Sequence, residues 1–408
     1  MKCDIHIRLV LWLTLGIASV SMAQQDTGIV HDSLVANQQA IYNRPFIGLG
    51  ATGISLGGYA EGNTNYFVED GLTEGFSMEM RRVNLFVYSP IGKRLKYLME
   101  LEFEHGTEEI ALETAQIDFK ISKYLSFRSG IILPQIGIFN ANHDSPVWDF
   151  VDRPLSSTMI IPSTLSEVGF GLFGNMRLGR GQVSYDFYLL NGLNAGIVLN
   201  EQGRTFIPSG KSLEMLEEDN NGLPMYNARV AWYKGGIGEV GLSYYGGVYN
   251  DFRLEGEEIA ERNSISIIAI DYNTDFEKVD VKGEYVIANI EVEESLQPLY
   301  GTRQKGGFVE VDYNVLRGRI IGFDHANLFL MLRFEKVDMN VGDFKSPGID
   351  LVDLTRYDHE TSLSGGVAFR PNGRTVFKVN YRYHWIRDLV GNPAARMAGI
   401  QVGIATYF

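Results

Sequence analysis

The amino-acid sequence predicts an all-β protein, a transmembrane antiparallel β-barrel of about sixteen strands. Three observations lead to this fold class. Segments of about ten residues alternate polar and apolar side chains from Ile54 onward, short and long connections alternate between them, and the last segment ends on Phe408. Successive side chains of a strand point to opposite faces, so this pattern gives each strand one apolar and one polar face.

Composition and charge narrow the classes of function. Hydrophobic residues make up 45% of the chain, which excludes a disordered protein. A mean hydropathy of −0.06, with no late apolar run of eighteen or more residues, excludes a polytopic helical membrane protein. Lys and Arg total 36 against 50 Asp and Glu, so the net charge is 36 − 50 = −14. An acidic chain argues against a nucleic-acid partner held by phosphate neutralisation.

The N-terminus predicts an exported chain. Lys2 and Arg8 precede an apolar run, and the small residues around Ala23 suit cleavage, so residues 1–23 are predicted to be a signal peptide. The single cysteine, Cys3, lies in this signal, so the mature chain has no thiol for a disulfide, a metal or a nucleophile. Residues 24–45 are predicted to be a periplasmic lead-in, with a short plug or a trimer contact as alternatives. Residues 46–408 form the predicted barrel.

The barrel strands are predicted from period-two polarity. In the clearest segment, Phe377, Val379 and Tyr381 share one face, while Lys378 and Asn380 share the other. Sixteen segments of this kind have centres near residues 59, 83, 100, 116, 128, 171, 186, 229, 243, 267, 282, 309, 332, 364, 380 and 402. In the segment centred near residue 83, the charged residues Glu79 and Arg81 have the same parity as the apolar residues that follow them. This conflict predicts a β-bulge or a membrane boundary close to Arg81.

The lengths of the connections predict how the barrel sits in a membrane. If both termini face the periplasm, every short link lies on the periplasmic side and nearly every long link outside. The link around residues 316–325 is the one periplasmic connection that looks overlong. A soluble all-β sandwich would also alternate in polarity. The terminal aromatic Phe408 favours the membrane barrel, and it is the predicted barrel-assembly signal.

Assigning the polar face of each strand to the interior predicts a lumen of mixed charge. The predicted basic wall residues are Arg82, Arg128, Arg177, Arg229, Lys282, Arg333, Lys378 and Arg382. The predicted acidic wall residues are Glu100, Glu102, Asp118, Asp186, Asp280, Glu284, Glu310, Asp312 and Glu335. A mixed wall predicts weak ion selectivity, whereas rings of one sign select the opposite ion. The alternative for each residue is a charge that is solvated or paired with a cross-strand neighbour.

Several patterns in order resemble the phosphate-selective porin O and P family. They are residues 81–85, Tyr97 to Phe103, Tyr124 to Ile132 running into the Pro134 and Gly137 junction, and Phe377 to Tyr381. The resemblance implies a homotrimeric channel in the outer membrane of a Gram-negative bacterium. The implied partners are outer-membrane lipids and lipopolysaccharide, the barrel-assembly machinery, and small hydrophilic solutes or anions.

The resemblance also implies a constriction loop folded into the lumen, and here that loop is Pro134 to Thr164. A loop of this length inside a compact protein usually serves a function. Its predicted site residues are Asp144, Trp148, Asp149, Asp152 and Arg153. Because Arg153 is the loop's one fixed positive charge, the loop departs from the basic constriction of phosphate-selective members. The aromatic residues Phe139, Trp148 and Phe150 either contact a passing solute or pin the loop to the wall.

Enzyme and metal motifs receive little support. Gly53 to Gly57 matches the G-x-S-x-G pattern of hydrolases, but a strand continues where that motif needs a strand-to-helix turn. Residues 217–222 resemble the start of a calcium loop without its distal glutamate. We therefore predict no enzyme, no catalytic residue, no cofactor and no metal. The predicted function is a porin for passive diffusion of small hydrophilic solutes or ions, phosphate and other anions among them. A loop-occluded uptake or binding barrel, for example for sugars, is the alternative.

Overall fold

The computed structural model describes residues 36–50, 53–297, 300–341, 357–389 and 392–408. The predicted signal peptide and the first part of the 24–45 lead-in lie outside this range. Within it, sixteen long antiparallel strands form one closed barrel, because the last strand pairs with the first, as in the partners Ile400 and Tyr66. The predicted fold class is confirmed.

The strands are numbered in chain order, and each of the sixteen predicted centres falls inside one of them. They are β1 Ser55–Glu69, β2 Phe76–Ile91, β3 Leu95–Glu104, β4 Glu109–Lys120, β5 Ser126–Ile132, β6 Glu167–Leu178, β7 Gly181–Leu190, β8 Met225–Lys234, β9 Gly238–Val248, β10 Ser264–Phe276, β11 Val279–Ile290, β12 Arg303–Ile320, β13 Phe323–Asp338, β14 His359–Asn372, β15 Thr375–Arg387 and β16 Ala395–Tyr407. Three two-residue strands, Ile47–Gly48, Arg253–Leu254 and Glu257–Glu258, lie outside this set.

Connection lengths alternate around the barrel. Seven turns of two to five residues lie at the end where β1 begins, which we call the turn end. Connections of four to thirty-four residues lie at the opposite end, the loop end. The prediction that residues 316–325 form an overlong connection is wrong. Strands β12 and β13 continue through it with two register shifts, between Asn314 and Leu316 and between Gly318 and Ile320, so two residues remain for the turn.

The predicted irregularity near Arg81 is confirmed as a β-bulge between β1 and β2. Glu61 pairs with Arg82, but the next residue, Gly62, pairs with Met80, so Arg81 is the extra residue of the β2 side. An extra residue moves the side chains beyond it to the other face of the strand. Arg81 therefore reaches the interior although its sequence parity matched the apolar face.

The two faces of the barrel differ as in a membrane protein and oppositely to a soluble sheet. On β15 the apolar residues Phe377, Val379 and Tyr381 are 43–52% exposed, whereas Lys378 and Asn380 are 2% exposed. Such an outer surface is stable only in an apolar medium. Among the described residues, no helix is long and apolar enough to span a membrane.

Two long loop-end connections fold back into the barrel. Residues 133–166, here called the inner loop, contain helix α1, Leu155–Met159, and residues 191–224 contain the 3₁₀ helices Ala195–Ile197, Ile207–Gly210 and Leu213–Leu216. Their apolar side chains join inward residues of β5, β7 to β11 and β13 in one buried cluster that includes Ile160. This part of the interior is packed like a soluble core.

Candidate functional site

The inner loop crosses the interior and bonds to widely separated strands. Gly137 donates its backbone N–H to Ser243 Oγ on β9 at 3.0 Å. Val151 donates its N–H to Asn380 Oδ1 on β15 at 3.2 Å. Leu155, at the start of α1, donates its N–H to Glu335 Oε1 on β13 at 2.9 Å. The loop therefore lies across the lumen, where its position sets the width of any path.

Basic wall residues hold the middle of the inner loop through its backbone. Arg370 on β14 donates to Asp149 Oδ1 at 2.8 Å and to the carbonyl oxygen of Pro146 at 2.7 Å. Lys378 on β15 donates from Nζ to the carbonyl oxygens of Ser145 at 2.8 Å and Phe150 at 3.1 Å. Buried carbonyl groups need hydrogen-bond donors, so these two cations stabilise this loop conformation.

Asp152 lies where three strands meet the loop. It accepts from Arg81 Nη1 at 3.1 Å, Arg382 Nη1 at 3.0 Å and Gln401 Nε2 at 2.5 Å. Burial alone would raise the pKa of Asp152, but the charges of Arg382 and Arg81 hold the pKa below its usual range. The negative charge of Asp152 is therefore compensated by the wall.

The neighbouring Arg153 is less completely paired. Its Nη1 donates to Thr164 Oγ1 at 3.1 Å, and its guanidinium lies 5.5 Å from the centre of the Phe139 ring. Its Nε and Nη2 make no hydrogen bond with any described residue. Burial and the nearby charge of Arg82 lower the pKa of Arg153. Two buried donor groups of Arg153 thus have no hydrogen-bond partner among the described residues.

Asp144 binds a residue from outside the loop and the barrel wall. Arg44 donates to both oxygens of Asp144, at 2.8 and 2.7 Å, and to Glu100 Oε2 at 2.6 Å. The Tyr407 hydroxyl donates to Asp144 Oδ2 at 2.7 Å. Arg44 and both carboxylates are almost completely buried. Because Arg44, Glu100 and Asp144 are buried from water, removing one of them would leave the charge of its partner unpaired.

Residues 36–46, here called the N-terminal segment, lie inside the turn end of the barrel. Asn37 donates its N–H to Glu239 Oε2 on β9 at 3.0 Å, and Tyr42 donates its hydroxyl to Asp118 Oδ2 on β4 at 2.5 Å. The sequence analysis assigns residues 24–45 to a periplasmic lead-in, with a short plug or a trimer contact as alternatives. In the structure, the described part of this range lies against inward side chains, where Arg44 binds Glu100 and Asp144.

The hydrogen bond from the Tyr407 hydroxyl to Asp144 is expected to make a small contribution to stability. We expect Tyr407→Phe to lower the free energy of unfolding by about 1.5–3 kcal/mol, because the Asp144 carboxylate loses a charged hydrogen bond in a buried site. Urea unfolding of the barrel in detergent measures this difference. Tyr381→Phe is the matched control, since Tyr381 lies 52% exposed on the outer face. Equal losses in both variants would contradict the role of the Tyr407 bond.

The structure brings most of the predicted wall charges into ion pairs across the lumen surface. Arg177 is exposed at the turn end in register with Gln182. Lys378 instead donates to carbonyl oxygens of the inner loop, and Glu284 accepts from Ser156, Ser157 and the N–H of Ile138. Asp186 is buried on β7. The described pairs are Arg82 with Glu61, Glu102 and Glu104; Arg128 with Asp118; Arg229 with Glu239 and Asp271; Lys282 with Glu310 and Asp312; Arg333 with Glu310; and Arg382 with Glu335. These contacts correspond to the alternative of charges paired with neighbours.

The aromatic residues of the inner loop pack against the wall. Phe139 and Trp148 lie with ring centres 4.6 Å apart and join Phe308 of β12 in a buried cluster. Trp148 Nε1 donates to the carbonyl oxygen of Asn142 at 2.6 Å. Phe150 packs in a second cluster and lies under the Arg333 guanidinium at 4.2 Å. In this conformation the three rings pin the loop.

A cavity of about 620 Å³ lies between the inner loop, residues 191–224 and strands β2 to β4. Its lining includes five basic and five acidic side chains. The basic residues are Arg81, Arg82, Arg153, Lys211 and Arg382, and the acidic residues are Glu102, Glu104, Glu109, Glu113 and Asp152. Hydroxyl groups of the inner loop, such as Thr158 and Ser163, complete the lining. This cavity, here called the vestibule, suits a small polar solute, and its lining has no strong excess of positive or negative charge.

A compact group of possible metal ligands borders the vestibule. Glu100, Glu113 and His143 each offer one ligand atom, and these atoms lie within 4.8 Å of one another. His143 Nε2 is 3.2 Å from Glu113 Oε2. Burial disfavours the charged imidazolium, but the charge of Glu113 and its hydrogen bond outweigh burial and raise the pKa of His143 to about 9.

Sequence reasoning missed several of these residues. Arg370 and Tyr407 share the inward parity of their strands, so strand periodicity could have found them. Arg44 gave no such signal, because the N-terminal segment has no clear period. Glu113 and His143 lie thirty residues apart in different elements, so spacing did not indicate that they meet.

Comparison of the sequence with known proteins identifies a relative but no family. No family model matches the chain. An uncharacterized protein of Aquifex aeolicus (strain VF5) is 24% identical over 392 residues, covering 87% of this chain and 83% of the relative.

Solved structures with the same fold are outer-membrane porins. OprB of Pseudomonas putida aligns with a TM-score of 0.56 and 9% identity, over 88% of this chain and 94% of that chain. OmpF of Salmonella typhi, solved with daunomycin, aligns with a TM-score of 0.54 and 14% identity, over 89% and 100%. An anion-selective porin of Comamonas acidovorans aligns with a TM-score of 0.52 and 12% identity, over 87% and 99%. At these identities the likeness shows the fold.

Proposed function

We propose that the chain is an outer-membrane channel through which small hydrophilic solutes or ions diffuse passively. The observation that carries the proposal is the arrangement of the two faces, with apolar side chains outside and ionic side chains inside a closed sixteen-strand barrel. An ionic interior gives water and polar solutes a favourable surface. The porin fold of the solved neighbours supports the same function.

The arrangement of connections supports an orientation in the membrane. We place the turn end in the periplasm and the loop end outside, as short turns and long loops are distributed in bacterial barrels. The apolar outer surface would contact lipid, and the loop end would contact lipopolysaccharide. Phe408 donates its N–H to the carbonyl oxygen of Gly58 at the seam between β16 and β1, and we propose it as the assembly signal. A homotrimer follows from the resemblance to the phosphate-selective porin O and P family.

The inner loop and the N-terminal segment form the proposed constriction, and its charges predict weak selectivity. Three loop acids are paired with cations from outside the loop: Asp144 with Arg44 of the N-terminal segment, Asp149 with Arg370 and Asp152 with Arg382 of the wall. The balanced vestibule therefore favours neither sign strongly. Arg153 lines the vestibule, and two of its donor groups have no partner among the described residues, which makes phosphate the first anion to test.

A loop-occluded barrel that binds its solute is the second candidate function. Inward side chains from many strands are nearly inaccessible, among them Gln116 on β4, Glu310 on β12 and Gln401 on β16, each at most 1% exposed. A wide open pore would leave such groups in contact with water. The vestibule would then bind a small polar solute, and the loops would have to move before it passed.

Planar-bilayer recording tests the proposed function. We expect steady conductance steps that grow in proportion to salt concentration, with a reversal potential near zero in a salt gradient. Added phosphate is expected to reduce the current by competing at Arg153, and Arg153→Gln should remove that effect. A protein that inserts as a folded barrel but gives no steps would contradict the channel and favour the occluded barrel.

A further inference from the structure

Glu100, Glu113 and His143 form a buried group that joins the inner loop to the barrel wall. Glu100 lies on β3, Glu113 on β4 and His143 on the inner loop, and their exposed fractions are 0%, 3% and 1%. The distance between His143 Nε2 and Glu113 Oε2 is 3.2 Å. Tetrahedral coordination with bonds near 2.0 Å separates ligand atoms by about 3.3 Å. This pair already has the spacing of two ligands of one ion.

The hydrogen bond on the other side of the imidazole orients His143 as a ligand. His143 Nδ1 lies 3.0 Å from the carbonyl oxygen of Asn140. A carbonyl oxygen only accepts, so Nδ1 carries the hydrogen, and in the neutral ring Nε2 presents its lone pair to Glu113. A metal ion bound there takes the place of the proton that otherwise lies between Nε2 and Glu113, so binding releases that proton. A backbone carbonyl behind Nδ1 is the usual outer partner of a metal-binding histidine.

A second, independent observation comes from Asn84 on β2. Its side chain is completely buried, and its Nδ2 lies 2.7 Å from Glu100 Oε1 and 3.4 Å from Glu113 Oε2. Its Oδ1 makes no hydrogen bond with any described residue, and neither does Glu113 Oε1. Such oxygens are costly to bury without a partner. The amide faces the group through Nδ2, and Glu113 Oε1 is the unpaired oxygen of the group itself that a cation would give a partner.

With His143 deprotonated as a metal ligand, the ion-paired charges of this group leave an excess of two negative charges. Glu100, Glu113 and Asp144 contribute −3, and Arg44 bridges Glu100 and Asp144 with +1, which gives −3 + 1 = −2 when His143 is neutral. One divalent cation balances this sum. Asp144 Oδ1 is 3.9 Å from His143 Nε2, close enough to become a fourth ligand after a small movement.

We propose that Glu100, Glu113 and His143 bind one divalent transition-metal ion of the Zn²⁺ class and so fasten the inner loop to strands β3 and β4. One imidazole nitrogen with carboxylate oxygens suits Zn²⁺ better than Ca²⁺ or Mg²⁺, which prefer oxygen ligands alone. The vestibule is lined by Glu113 and gives the ion a route to the site. The inference does not depend on whether the barrel conducts.

Cobalt binding tests the site directly. The intact, folded barrel in detergent is treated with a chelator, freed of it, and titrated with Co²⁺, whose visible absorption reports its ligands. We expect one equivalent to bind with a tetrahedral-type absorption band and to be displaced by one equivalent of Zn²⁺. His143→Ala and Glu113→Gln should each weaken binding at least about 100-fold, beyond the 10- to 100-fold that loss of an outer partner costs.

Control variants separate this site from surface binding. His105→Ala removes an exposed histidine near Glu79, and it should leave cobalt binding unchanged. Heat-dependent migration in gel electrophoresis shows that each variant is folded, and Glu113→Gln decides alone if His143→Ala does not fold. Absence of one-equivalent binding in the native barrel, or full binding in a folded Glu113→Gln variant, would overturn the proposal.

Discussion

Replacing Arg44 with alanine is expected to raise the single-channel conductance several-fold, because the N-terminal segment loses its main attachment inside the lumen. Arg44 forms two bonds to Asp144 and one to Glu100, all buried. Removing one partner of a buried ion pair costs about 3–5 kcal/mol, since the remaining charges lose their compensation. Planar-bilayer recording measures the conductance, and urea unfolding measures the loss of stability.

Two further variants make this result specific. Deletion of residues 36–46 should raise conductance at least as much as Arg44→Ala. Asn43→Ala is the matched control, because Asn43 is exposed and its side chain bonds within the segment, to the carbonyl oxygen of Gln39. Native conductance in both the deletion and the Arg44 variant would show that the segment does not narrow the path.

Most of the barrel could be predicted from the sequence because each strand satisfies one local rule. Alternate residues of a barrel strand face lipid and water, so apolar and polar side chains alternate in every strand. The rule also located the bulge, since Arg81 broke the parity of β2. It failed around residues 316–325, where two register shifts interrupt the alternation although pairing continues.

The candidate site was less predictable because its contacts join distant parts of the chain. Parity identified which side of a strand Lys378 or Arg382 occupies, but not that the partners are carbonyl oxygens and Asp152 of the inner loop. The N-terminal segment has no period to interpret. Arg44 is attached by charge, and the choice between Asp144 and any other carboxylate depends on the folded loop.

A charge placed on the apolar outer face is expected to cause the second large effect, a loss of stability in the membrane. Leu332 lies in the middle of β13, is 55% exposed, and pairs with Val311 and Gly365 on the neighbouring strands. We expect Leu332→Arg to lower the free energy of unfolding by about 2–4 kcal/mol in phospholipid vesicles, the cost of a cation at the bilayer midplane of a barrel. Urea titration followed by tryptophan fluorescence gives the value.

The same charge placed at the turn end distinguishes lipid contact from a general effect of arginine. Asp324 lies at the start of β13 with its side chain 73% exposed and paired with Arg319 at 3.4 Å, so Asp324→Arg places the cation in water or at the membrane interface and also removes this exposed ion pair, which itself contributes about 0–1 kcal/mol. There the expected cost is only about 0–1 kcal/mol. If Leu332→Arg and Asp324→Arg cost the same, the apolar outer face does not lie in lipid. The ionic interior would then lose its interpretation as a path across a membrane, because both assignments depend on the same alternation of faces.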